Sequence, residues 1–222
     1  MNTYFIDRDT HKKLLCSAQT GASLIVVLLI LMVVSILGMG AAQVALMSER
    51  GARNDRDQQV AWQSAEAALI DAELDLLDPK ICPTGVAQGS CSRPTAARNT
   101  LTNQMFNGKN SIGFLPGCGK SSDNANWVGL CETAVSGTKP IWLTVDFTDT
   151  SSDARTTAFG TYTGRTLSIG TGIQPAKAPR YIIERLIDDK DATPQTYMYR
   201  VTAMGFGPRA DIQAVLQMLY RN

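Results

Sequence analysis

Residues 22 to 48 read ASLIVVLLILMVVSILGMGAAQVALMS, a run without a charged side chain. About 20 apolar residues in a helix cross the ~30 Å hydrocarbon core of a bilayer, so this run predicts a membrane-spanning helix. The helical pattern does not stop at the first charge, Glu49. Glu49, Arg53 and Asp57 follow one another at i,i+4 spacing with alternating sign, which supports an exposed helix. Trp62, Ala65, Leu69, Ala72 and Leu76 then recur every three or four residues and form an apolar stripe. Asp78-Pro79 stops the pattern, because the residue before proline is pushed out of the α region. A helix over 22–77 would be roughly 84 Å long. Its first half predicts an anchor, and its second half (49–77) predicts a cover for a sheet face.

Strand signals come late in the chain. Ile141, Leu143, Val145 and Phe147 alternate with polar or half-polar neighbours, which predicts a strand. Tyr181 to Ile187 predicts a second, and Tyr197, Tyr199, Val201 and Ala203 line one face of a third. Ile212, Ala214, Leu216, Met218 and Tyr220 line a fourth, with Gly205 to Asp211 as the turn that makes the last two antiparallel. Residues 149–179, dense in Thr, Ser and Gly, predict a connection holding at most one weak strand. One long helix followed by an antiparallel meander is an α+β architecture. The expected divisions are 1–21 as a leader, 22–48 and 49–77 as the halves of the helix, 78–139 as a cysteine-containing loop region, and 140–222 as the sheet.

Charge and cysteine content narrow the function. The chain carries 21 basic and 20 acidic residues, and without residues 1–21 the two signs balance at 18 each. A neutral chain offers no electrostatic footprint for nucleic acid. The basic residues of the N-terminal flank place that end in the cytoplasm and the bulk outside. Cys82, Cys91, Cys118 and Cys131 follow the helix and predict two disulfides, with three pairings open. Pairing of near neighbours, Cys82 with Cys91 and Cys118 with Cys131, is preferred because each bond would staple one loop. Free buried thiols are the alternative.

The single histidine, His11, precedes the apolar run, so imidazole catalysis and histidine metal sites are absent from the rest of the chain. GTYTGRT at 160–166 lacks the lysine of a phosphate-binding loop. No enzyme, metal or cofactor is expected. Two acidic groups, Asp146, Asp149 and Asp153, or Asp188, Asp189 and Asp191, leave a calcium-binding module as a second reading, although neither has EF-hand spacing. Gly38-Met39-Gly40 could also pass for a signal-peptidase site, but cleavage there would strand the helix that follows.

The stretches Gly21-Ala22-Ser23-Leu24, Ser48-Glu49-Arg50 and Gln63-Ser64-Ala65-Glu66-Ala67-Ala68-Leu69 are similar to the N-terminal region of the PilX minor pilins. The ending from Tyr199 to Arg221 resembles that family's terminal strand pair. The resemblance implies the type IV pilin fold and cleavage by a prepilin peptidase between Gly21 and Ala22. Most major pilins have Glu at the fifth mature position, where it neutralises a neighbour's N-terminal amine; this chain has Val26. The departure implies a place at or near a filament tip, in pilus assembly and initiation. Gly38 and Gly40 stand near where major pilins often carry a helix-loosening proline, and they equally suit close helix packing. Implied partners are other minor and major pilins, the prepilin peptidase and a pilus-tip adhesin. The implied location is the inner membrane with a periplasmic C-terminal domain, then the pilus at the cell surface. The alternatives are a tip minor pseudopilin of type II secretion and a membrane-anchored periplasmic binding domain.

Overall fold

The computed structural model describes residues 22–77, 93, 113–189 and 196–221. An α-helix, α1, runs over Ala22–Leu77. The chain divides into two compact units, Met1–Gly51 and Ala52–Asn222. In the first unit α1 carries no charged side chain from Ala22 to Ser48, and every residue of it with a described burial is exposed. No aqueous packing explains such a helix, because a globular helix keeps one polar face.

In the second unit, α1 and five strands form the fold: β1 (Leu130–Glu132), β2 (Thr157–Ala158), β3 (Arg180–Asp189), β4 (Thr196–Phe206) and β5 (Gln213–Tyr220). The order across the sheet is β1-β3-β4-β5, and β2 pairs with β3. β3–β4 and β4–β5 are antiparallel, with Tyr181 opposite Ala203 and Ala203 opposite Leu216. These three strands lie over the stretches that the sequence marked as strands. The resulting fold is the expected α+β pilin arrangement of a long helix and a C-terminal sheet.

The alternation of β3 decides the layering. Tyr181 and Ile183 point to a core shared with Ala68, Ala72 and Leu76 of α1 and Tyr199, Val201 and Ala203 of β4. Ile182 points the other way, onto Cys118, Cys131, Ile141, Val145 and Phe147. Consecutive residues 181 to 184 are therefore all buried, as in a strand covered on both faces. Near the chain turn, Ala61 and Ala65 meet Ile212 and Ala214.

Three features differ from the sequence expectations. Residues Ile141–Leu143 form a 3₁₀ turn, not a strand, and Leu143 is exposed. Local hydrogen bonds win there: the Thr144 hydroxyl donates to the Ile141 carbonyl, and the Asp146 carboxylate accepts from the Thr148 amide and hydroxyl, each at 2.7 Å. Ile141, Val145 and Phe147 still reach the core, but from successive turns. Second, β1 lies inside the 78–139 region and pairs parallel to β3, so the sheet is mixed and begins before residue 140. Third, Trp62 is 50% exposed and does not cover the sheet. Its indole N–H donates to Glu66 at 2.9 Å on the open side of the helix. The covering stripe is Ala61, Ala65, Ala68, Ala72 and Leu76, with Leu69 partly buried at its margin.

Candidate functional site

The first candidate site is the apolar half of α1. Large apolar side chains from Leu24 to Met47 are 52–71% exposed, a surface that only lipid or other apolar helices can cover. The helix is long and apolar enough to cross a membrane. Ser35 donates its hydroxyl to the Leu31 carbonyl at 2.7 Å, so its polar atom is satisfied within the helix. Val26 sits in this surface, 53% exposed. Nothing lies within 4 Å of where a Cβ would stand on Gly38 or Gly40. Ala22 is the first described helical residue, whereas Gly21, Cys82 and Cys91 lie outside the described residues.

The second is the polar seam beneath the covering stripe. Asp71 and Asp75 are fully buried on the inward side of α1. Arg93, also fully buried, donates from Nε to both Asp75 oxygens at 3.0 Å. Its Nη1 donates to the Asn126 and Val128 carbonyls at 2.7 and 2.9 Å. The Tyr181 hydroxyl donates to Asp75 at 3.0 Å, and the guanidinium lies 3.9 Å over the Tyr162 ring. This cluster ties the helix, β3 and residue 93 together through charge-assisted bonds. Burial opposes the charge on Arg93, but Asp75 and the two tyrosines outweigh it and raise its pKa. Burial, reinforced by Asp75, pushes the Tyr181 phenol well above its ordinary range.

Asp71 accepts from the Gly160 amide at 2.8 Å and from the Thr163 hydroxyl. Burial raises its pKa despite those bonds. On the other sheet face, Glu184 is buried and accepts from Arg200 Nη2 at 2.6 Å, its cross-strand neighbour. A disulfide joins Cys118 and Cys131, the preferred local pair, and fixes the outer loop against β1. The loop carboxylates Asp146, Asp149 and Asp153 share a cavity wall, but each is held by local hydrogen bonds to Thr148, Ser151, or Ser122 and Lys120. Those bonds lower all three pKa values. Among the described residues no group of three ligating side chains is arranged to hold a metal.

Residues 94–222 match the family model for the type IV pilus assembly protein PilX C-terminal region, and residues 20–69 match the PilX N-terminal model. The chain belongs to the PilX family of type IV pilus assembly proteins. No curated protein and no solved structure matches it. As a PilX-family chain it is a minor pilin, a structural component of a type IV pilus that assembles with other pilins. Its exposed apolar helix fits membrane anchoring and association with the pilus.

Sequence reasoning missed Asp71, Asp75 and Arg93. A signal was present: two carboxylates at i,i+4 spacing lie among the alanines of an apolar stripe, and a helix buries such residues only when they are paired. The partner could not be read, because Arg93 is 18 residues away in a stretch without periodicity.

Proposed function

We propose that this PilX-family minor pilin takes part in assembly and initiation of the type IV pilus at or near its tip. Val26 carries the reading. If a prepilin peptidase cleaves after Gly21, Val26 is the fifth residue of the mature chain, where a carboxylate would pair with a neighbouring subunit's amine. An apolar side chain there gives no compensation to a buried ammonium, whose unpaired burial is costly. A terminal subunit has fewer such amines to receive. On this reading residues 22–48 pack in the membrane and then in the filament core, with the C-terminal unit first in the periplasm and later at the cell surface. Gly38 and Gly40 let neighbouring helices approach closely. Other minor and major pilins, and a tip adhesin, are the partners.

The test is deletion of the chain combined with labelling of its complemented form. The expected result is fewer surface pili, reduced twitching, and immunogold label confined to filament ends. Wild-type piliation in the deletion strain, or label spread evenly along filaments, overturns the reading. N-terminal sequencing of the protein from membranes should begin at Ala22.

A further inference from the structure

A cavity of about 290 Å³ opens at the β2–β3 edge of the sheet. Hydroxyl-bearing side chains dominate its wall, among them Ser121, Ser151, Ser152 and Thr161, with Ala154 and Val128 as apolar patches. Among the described residues, Arg180 is the single charged side chain in the wall. Arg180 is half-buried and donates from Nε to the Thr156 hydroxyl at 2.5 Å and from Nη2 to the Thr156 carbonyl at 2.6 Å. Both bonds use the same edge of the guanidinium. Among the described residues the other edge, between Nη1 and Nη2, has no protein acceptor, and no carboxylate lies within ion-pair distance of Arg180. Burial lowers the pKa of Arg180, and Asp149 opposes the shift.

We propose that this cavity binds the carboxylate of an acidic sugar, with the free edge of Arg180 gripping the carboxylate and the serine and threonine hydroxyls meeting the sugar hydroxyls. Two observations select this ligand. The free edge is a planar two-donor fork, which matches a carboxylate in bidentate geometry. The volume lies near the lower end of the range for ligand pockets, about 300–1,000 Å³, which suits one sugar ring. The hydroxyls and the small apolar patches then complement the two characters of a sugar face. Ser121 and Ser152 are exposed at the rim, where they are accessible to such a ligand.

The experiment is saturation-transfer NMR and titration of the full-length chain in detergent micelles with D-galacturonic acid, against galactose and inorganic phosphate. Galacturonate should bind, and galactose at least about tenfold more weakly, as expected for loss of a charge-assisted hydrogen bond. Arg180→Gln should weaken galacturonate by a similar factor. Because that variant also loses the Thr156 contacts, Ser152→Ala serves as the second variant and should weaken binding about threefold with unchanged thermal unfolding. No transfer to galacturonate overturns the proposal, as does Arg180→Gln binding like wild type in a folded protein. Equal binding of galactose would show that Arg180 grips nothing. Phosphate binding as tightly as galacturonate would make this a simple oxyanion site and overturn the assignment to a sugar.

Discussion

A Cβ on Gly205 of β4 would stand 2.3 Å from the carbonyl oxygen of Ala61 on α1, so helix and sheet meet there backbone to backbone. The same position lies 2.2 Å from the Ala65 amide nitrogen. Contact this close explains the alanines of the covering stripe, since a larger side chain on either partner would wedge the layers apart. Gly205→Ala should therefore destabilise the C-terminal unit by about 1–3 kcal/mol, the usual cost of overpacking. Urea unfolding followed by near-UV circular dichroism checks this. Gly38→Ala, with nothing within 4 Å of its Cβ position, should leave that transition unchanged.

The Asp75–Arg93 pair gives a second expectation. Both side chains are fully buried and bonded to each other, to backbone carbonyls and to Tyr181. Removing one partner strands a buried charge, so Asp75→Leu or Arg93→Met alone should cost about 3–5 kcal/mol. The double variant should cost less than the sum of the two, because no charge is then left unpaired. A double-mutant cycle in urea measures the difference, and simple additivity would contradict the coupling.

Cys118 and Cys131 are 13 residues apart and both buried. Closing a loop of that size in the unfolded chain is worth about 3 kcal/mol in the chain-entropy account. Replacing both residues with alanine should lower stability by roughly that amount. In the wild-type chain, dithiothreitol should reduce the bond only when denaturant is present, which a thiol-labelling time course would reveal.

Asp71 makes stability depend on pH in a defined direction. Its folded pKa is raised above the ordinary 3.8, with burial as the main cause. The native state then holds this proton more readily than the unfolded chain. Its contribution is fully present below 3.8 and is lost as pH rises through the raised folded value. Asp71→Asn cannot titrate and should flatten that part of the stability profile. Melting temperatures taken in steps from pH 3.5 to pH 7 compare the two slopes, and identical slopes would count against a raised Asp71.

Much of the fold was legible because two periods were clear. Residues 197–203 and 212–220 alternate every two, 181–187 is a short, largely apolar run rich in isoleucine, and 22–77 lack any breaker strong enough to end a helix. The site was only partly legible. At the second half of α1 two stripes overlap: Trp62, Ala65, Leu69, Ala72 and Leu76, and the one buried, Ala61, Ala65, Ala68, Ala72 and Leu76. Hydrophobicity favours the tryptophan, but the close approach of Gly205 admits only alanine, and that constraint comes from another element. The pattern at 141–147 encoded the burial of Ile141, Val145 and Phe147 but not the exposure of Leu143 or the conformation, because local side-chain bonds replaced the ladder.

The order of amino acids alone determined the apolar helix from Ala22, its continuation to Leu77 and the three long strands, and it favoured Cys118–Cys131 among three open pairings, which the structure then showed. These depend on local periodicity, on the length needed to cross a bilayer, or on cysteines near each other in sequence. Only the tertiary structure decided that β1 joins the sheet in parallel, that Arg93 neutralises Asp75, and that Ala61 faces the sheet while Trp62 does not. Each of those outcomes rests on a partner distant in sequence, whose proximity no local pattern records.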